Sequence, residues 1–409
     1  MKSNFDKVID RKGTNCSKWD NCKNVFGRED LLPMWVADTD FEAPKEAIDA
    51  MKKRLEHGIY GYTYRSESFN NAIVNWMKKR HGWDIKSEWI TFSPGIVPAI
   101  SMAVNSFTHP GDKVIIQTAI YPPFQSVVER NGRIRIDNEL VFIDGRYQMD
   151  IDKLEEQISL NDISYTNNTT NNNRGFDNRV KLLLLCNPHN PSGRVWTKEE
   201  LKKIGEICLK NNIIILSDEI HSDIIYKGYK HIPIASLSKE LEQKTITCIA
   251  PSKTFSLAGL STSAIIIPNK EIRKMFNNTL QTLEVDGGNI FGSIALEAAY
   301  NYGEKWLEEL LTYLEGNLNY LMKYFKEKIP AIKPIRPEAT YLIWLDCSKL
   351  GLEGKDLVDF FVNEAKVGVN PGFKFGESGR TFIRLNFGCP LSILDEGLKR
   401  IEQAVNNLV

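Results

Sequence analysis

The sequence predicts an α/β protein. A large domain holds a mostly parallel sheet between helices, and a smaller α+β domain follows it. Three observations predict this. The chain has 409 residues, more than one compact core accommodates. Its middle carries short, nearly unbroken apolar runs: "KVIIQ" from Lys113, "KLLLLC" from Lys181, "NIIIL" from Asn212, "TITCIA" from Thr245 and "AIIIP" from Ala264. Runs of this length without alternation suit strands covered on both faces. Amphipathic segments lie between them, which is the rhythm of an α/β sheet.

In chain order, the first segment (1–48) is expected to pack with the small domain, because "PMWVADTDF" has no place in the alternation. The large domain is expected over 49–288. The segment "PKEAIDAMKKRLEHG", a helix that Pro44 can start and Gly58 can end, leads into it. Tyr62 follows on a loop. "SPGIVPAISMAV", from Ser93, turns at Gly95 into an amphipathic helix whose first free N–H groups suit an anion. "WTKEELKKIGEICLKNN" is a helix with a capping box of Thr197 and Glu200; Leu201, Ile204, Ile207 and Cys208 share one face. "SYTNNTTNNNRGFDN", from Ser164, is polar and of low complexity, and reads as an exposed insertion without a catalytic role. The small domain is expected over 289–409: a long helical pattern, then "TYLIWLDC" and "TFIRLNFGC".

Composition narrows the function. Lys+Arg and Asp+Glu are both 52, so no global field attracts nucleic acid or an anionic membrane. The start lacks the apolar core of a signal peptide, and no apolar run spans a bilayer. The seven cysteines are scattered, odd in number and without a C-x-x-C pair. They read as reduced thiols of a cytoplasmic protein, with no metal site expected.

Three polar clusters each follow a buried run: "CNPHNPSG", "SDEIH" and "APSK". Ligands of parallel α/β sheets bind beyond the carboxyl ends of the strands, so these would converge on one crevice. Lys253 stands alone among small apolar neighbours in "IAPSKTFSLAGL". Such a place lowers an amine pKa and suits a nucleophile or Schiff-base former, although buried lysines also pair structurally. Asp218 can be a helix cap, or can hold a cationic heteroaromatic nitrogen. Asn190 can stabilise its turn or donate to a ring phenolate. Tyr121, in "AIYPPF", can stack on a planar ring or sit in the core.

Together these residues resemble the fold-type I pyridoxal 5'-phosphate (PLP) enzymes of the class I/II aminotransferase superfamily. More narrowly they resemble the MalY/PatB group of cystathionine β-lyases, or C–S lyases. The blocks that carry the likeness run almost end to end: "VIDRKGTNCSKWD", "LLPMWVADTDF", "HGIYGYT", "LLLLCNPHNPSGRVWTKEEL", "SDEIHSDIIYKGYKHIP", "SKTFSLAGL", "YLIWLD" and "FIRLNFGCP". The resemblance implies that Lys253 forms a Schiff base with PLP, Asp218 pairs with the pyridine nitrogen and Asn190 bonds the phenolic oxygen. Tyr121 would stack on the ring. The backbone at Gly95, Ile96 and Val97 would cradle the phosphate, and His221 and Ser252 would also lie at the cofactor. Arg384 would clamp the substrate α-carboxylate, with the backbone of Ala37 nearby. Tyr62 would reach the phosphate of a neighbouring subunit, making the active unit a homodimer.

There are departures from the superfamily's usual pattern. His221 replaces a Tyr, as in the lyase group. No Arg follows Lys253 to bind phosphate. Ala250 stands where many relatives carry Ser, and Thr39 where the group commonly has Met. The resemblance implies α,β-elimination from L-cystathionine or related S-substituted cysteines, giving a thiol (homocysteine), pyruvate and ammonia. An aminotransferase shares the same residues and remains the alternative. A regulatory role through a protein partner, alongside lyase activity, is a third.

Overall fold

The computed structural model describes residues 3–161 and 179–408; the polar stretch 164–178 lies outside the described residues. Seven strands form the central sheet: β1 (Ile90–Ser93), β2 (Lys113–Ile116), β3 (Ile134–Asp137), β4 (Val180–Cys186), β5 (Ile214–Asp218), β6 (Thr245–Ile249) and β7 (Ser263–Ile266). Their order is β1-β7-β6-β5-β4-β2-β3. The five apolar runs of the sequence all become strands here.

Both faces of the sheet are covered, as unbroken apolar runs require. Because side chains alternate along a strand, Leu182, Leu184 and Cys186 enter one core with Val114, Ile116 and Leu216. Leu183 and Leu185 enter the other with Ile115 and Ile215. Each such leucine contributes roughly 1.5–3 kcal/mol through burial.

The sheet is mostly parallel, as expected, and the run from Ala264 is its exception. β7 is antiparallel to both its neighbours, β6 and β1. Residues 250–262 hold only a turn of helix (Pro251–Thr254) and a 3-10 turn (Ala258–Leu260). That is too little for the crossover helix a parallel return needs, so the chain doubles back. An apolar period carries no information about direction.

The second sheet is antiparallel. Its strands are β8 (Lys333–Ile335), β9 (Leu342–Asp346), β10 (Asn370–Pro371) and β11 (Phe382–Asn386), in the order β8-β9-β11-β10. The helix Glu304–Lys328 buries Leu307, Leu310, Leu314, Leu318, Leu321 and Phe325, a stripe at spacings of three and four. Leu32–Pro33 pairs in parallel with Val367–Gly368, and so brings the N-terminal segment beside this sheet. No helix among the described residues is long and apolar enough to cross a membrane.

The expected local signals are present. Thr197 and Glu200 close a capping box on the helix Lys198–Lys210. The helix Lys45–Glu56 begins after Pro44, and Gly58 follows its end at φ +76°.

Gly193 fixes the loop that carries Asn190. Its φ is +70°, and a Cβ there would meet Pro337 Cβ at 2.3 Å and Pro337 Cα at 2.9 Å. Its carbonyl accepts from the N–H groups of Glu338 and Ala339. Gly193→Ala therefore forces backbone apart at a left-handed position. We expect a loss of about 1–3 kcal/mol, measured by urea unfolding of the two proteins.

Candidate active site

The sheet register assembles the site. Cys186 pairs with Asp218, and Asp218 with Cys248, so the carboxyl ends of β4, β5 and β6 are level. The residues just beyond them share one crevice. Its lining is Ala37, Ile96, Val97, Tyr121, Cys186, Asn190, Asp218, Ile220, His221 and Lys253.

Lys253 lies on the short helix Pro251–Thr254 after β6. Its Nζ donates to the Ala37 carbonyl at 2.6 Å. Burial brings the amine pKa down to about 8, and the nearby Arg384 acts in the same direction; Asp38 and Asp218 oppose it. A carbonyl can accept from a neutral amine and leave the nitrogen lone pair free, whereas a carboxylate would hold the proton on.

Asp218 ends β5, 6% exposed. Burial pushes its carboxyl up to about 7, against the single N–H that Ile220 donates to Oδ1 at 3.1 Å. Oδ2 accepts from no protein group among the described residues. A carboxylate so placed calls for a cation.

Asn190 accepts from Arg384 Nη1 on Oδ1 at 2.9 Å, which leaves its amide N–H groups to donate elsewhere. Its carbonyl accepts from the N–H of Tyr121 at 3.1 Å, so the two residues are held together. Tyr121 precedes the helix Pro122–Arg130, and burial raises its phenol pKa. His221 is buried, with Nδ1 unpartnered; burial, followed by the charges of Lys253 and Arg384, lowers its pKa to about 3. It is a neutral wall of the crevice.

The helix Ile96–Phe107 starts at the crevice with no side-chain cap; Gly95 stands in the cap position. The N–H groups of Ile96 and Val97 have no intrahelical acceptor, Pro98 has no N–H, and the first internal bond runs from Ala99 to Gly95. This is an open anion seat on a helix of 12 residues.

Arg384, on β11, is 3% exposed and meets no carboxylate among the described residues. Among the described residues its hydrogen-bond partners are neutral oxygens, namely Asn190 Oδ1, the Trp35 carbonyl at 2.9 Å and Asn370 Oδ1 at 2.6 Å, and its guanidinium lies 5.0 Å from the centre of the Phe375 ring. Its Nε is buried and unpartnered, and burial lowers its pKa to about 10. A guanidinium with donors left over and no counter-ion is built for an incoming carboxylate.

Four expected residues do not line the crevice directly. Arg384 stands behind Asn190, to whose Oδ1 it donates. Gly95 contributes through backbone at its edge. Ser252 is on the lysine turn, half-buried. Tyr62 is fully exposed on the loop after the helix Lys45–Glu56, away from this crevice. Conversely, Cys186, Ile220, Tyr341 and Asn386 were not expected. Tyr341 donates to the Ala37 carbonyl at 3.0 Å, and Asn386 Nδ2 donates to the carbonyls of Val36 and Asp38, both at 2.6 Å. Cys186 was legible as the last residue of its run. Tyr341 and Asn386 act on backbone carbonyls, which leave no mark in a sequence.

A mixed sheet with a lysine, a carboxylate and an open helix start at its strand ends defines an enzyme of the aminotransferase type. The chain belongs to the family "Aminotransferase class I and II", whose model matches residues 30–401. Cystathionine beta-lyase PatB of Bacillus subtilis is 46% identical over 98% of this chain and 100% of its own length. Protein MalY of Escherichia coli is 31% identical over 98% of both chains. Among solved structures, cystalysin from Treponema denticola, which contains a pyridoxal 5'-phosphate cofactor, superposes with a TM-score of 0.93 at 37% identity, covering 100% of both chains.

Proposed function

We propose that this protein is a PLP-dependent C–S β-lyase acting on L-cystathionine or related S-substituted cysteines. The observation that carries the proposal is that Lys253 and Asp218 line one crevice together with Asn190, which Arg384 holds from behind.

The residues present fit PLP. Asp218 Oδ2 is free to hold a pyridine N–H, and the Asn190 amide is free to donate to a phenolic oxygen. Tyr121 offers a ring face. Ile96 and Val97 offer N–H groups to the phosphate, and the Lys253 amine faces the same space. When bound, PLP supplies an electron-poor ring that takes up the electron pair left at the substrate Cα. The chain does the rest. Arg384 binds the α-carboxylate and so orients the Cα–H bond. Lys253, whose amine pKa burial brings down to about 8, takes the Cα proton as general base. Asp218 keeps the ring nitrogen protonated. The thiolate then departs from Cβ with the C–S bonding pair. The balance is one S-substituted L-cysteine and one water giving one thiol, one pyruvate and one ammonia; from L-cystathionine the thiol is homocysteine.

The test is product analysis with L-cystathionine and no 2-oxo acid. Pyruvate and homocysteine in equal amounts support the lyase. Conversion that requires a 2-oxo acid acceptor would assign an aminotransferase instead.

The active unit in this reading is a homodimer, with Tyr62 reaching the phosphate in the neighbouring site. The exposure of Ile59, Tyr60, Tyr62 and Tyr64 along one loop supports it, since such a patch asks for a covering surface. A phenol–phosphate hydrogen bond is charge-assisted, so Tyr62→Phe should weaken PLP binding by about 1.5–3 kcal/mol, read from equilibrium dialysis. Co-folding a Lys253→Ala chain with a Tyr62→Phe chain tests the sharing. One of the two hybrid sites keeps both residues, so partial activity should return. No return, with hybrid dimers shown to form, would place Tyr62 outside the neighbour's site. All seven cysteines are free thiols, which supports work in the reducing cytoplasm.

A further inference from the structure

The loop opposite Lys253 is held more completely than a surface connection requires. Every carbonyl from Met34 to Thr39 accepts a hydrogen bond. Met34 accepts from the N–H of Asn386, and Trp35 from Arg384 Nη2. Val36 and Asp38 accept from Asn386 Nδ2. Ala37 accepts from Tyr341 Oη and Lys253 Nζ, and Thr39 from Arg11 Nη1 at 3.2 Å. A second bond joins this loop to the lysine turn: Thr39 Oγ1 and Ser256 Oγ stand 2.5 Å apart, two residues beyond Ala37 and three beyond Lys253. Ser256 takes φ +56° to present its hydroxyl there, a conformation that side chains other than Gly and Asn rarely adopt.

We propose that Tyr341 and the Thr39–Ser256 pair are positioning residues that keep the Ala37 carbonyl against the Lys253 amine. This rests on the reading of Lys253 as the lysine that PLP engages. The chemical need is plain. An amine that acts as a base must be held in place without being held protonated. A carbonyl does that, and only if the carbonyl itself cannot move. Tyr341 fixes it from the position just before β9, on the small-sheet side. The hydroxyl pair fixes the distance between the two loops. Water is kept from the amine as a consequence. The charged groups facing the amine are Asp38 on the loop, Asp218 on β5 and Arg384 on β11. His221, Tyr121, Tyr341 and the Cys186 thiol are the other titratable groups around it among the described residues.

The test uses the full-length chain stripped of PLP, to which PLP is added back. Only an unprotonated amine attacks the aldehyde, so the pH midpoint of the capture rate, followed by absorbance, reads the amine. The parent midpoint is expected near 8. In Tyr341→Phe, Thr39→Val and Ser256→Ala, water gains access and the midpoint should rise by about half a pH unit or more. Thr39→Ser keeps the hydroxyl and should keep the parent midpoint. Because the pair is one bond, Thr39→Val with Ser256→Ala should shift no further than either alone. An unmoved midpoint in Tyr341→Phe and Thr39→Val, in chains folded by circular dichroism, overturns the proposal, as does a double variant that shifts by the sum. Should Thr39→Val fail to fold, Ser256→Ala removes the same bond from the less buried side and decides alone. Lys253→Ala is the control: if it captures PLP with the parent pH profile, the assignment of the lysine fails instead.

Discussion

Lys253→Ala is expected to remove more than about 10³-fold of turnover, because in the proposed reading one side chain serves as the covalent anchor for PLP and as the general base at Cα. The two roles are lost together, so neither added PLP nor a change of substrate should restore the rate. The absorbance band of the lysine–PLP linkage, which borohydride abolishes in the parent, should be absent. Turnover within tenfold of the parent would remove Lys253 from the mechanism. Unfolding would not explain the loss. Burial lowers the folded-state amine pKa to about 8 from its ordinary 10.5. In the cofactor-free chain the buried charge therefore costs stability fully below pH 8, and the cost fades as pH rises from 8 towards 10.5. Removing the amine relieves that cost at neutral pH, partly offset by the cavity the shorter side chain leaves. Thermal unfolding of both cofactor-free chains at pH 7 and pH 10 checks this: the variant should gain, relative to the parent, at pH 7 and less so at pH 10.

Lys253 was legible in the sequence because a lone cation among small apolar residues at the end of a buried run has few structural uses. Asp218 and Asn190 were legible for the same reason of place. The strand-end rule needs only the periodicity of the runs, and the register then sets Cys186, Asp218 and Cys248 level. Direction was not legible. β7 has the same composition as its neighbours, and its antiparallel course follows from how few residues separate it from β6. Nor were Tyr341 and Asn386 legible, since each serves the site by donating to a carbonyl of another segment, more than 300 positions away in the chain. Arg384 lies between these cases. Its apolar neighbours announced burial, but only the structure shows that, among the described residues, its hydrogen bonds go to neutral oxygens and none to a carboxylate. That difference matters chemically: a salt-bridged arginine is satisfied, and this one is not.

Asp218→Ala should separate the cap from the electron sink. In the cofactor-free chain burial raises the carboxyl to about 7 from its ordinary 3.8, so the folded chain keeps the neutral form up to about pH 7. The stability this group contributes is then lost as pH rises through about 7, since the folded state holds a proton that the unfolded state releases near 4. A cationic ring nitrogen against Oδ2 reverses the balance: the carboxylate becomes the favoured form, and its charge in turn holds the ring proton. Asp218→Ala should still bind PLP, because Lys253, Asn190 and the helix start at Ile96 remain. The ring nitrogen should then lose its proton at neutral pH, and with it the capacity to draw charge from Cα. Removing a buried charge that meets developing charge costs several kcal/mol of transition-state stabilisation, on the order of 10²-fold or more in kcat. Two measurements on one preparation decide it. PLP content should stay near one per chain while kcat falls. In the cofactor-free parent, stability should decline between about pH 4 and pH 7, and Asp218→Asn should flatten that decline. If kcat is unchanged, the carboxylate only caps the N–H of Ile220, and the crevice draws its electron-accepting power from elsewhere.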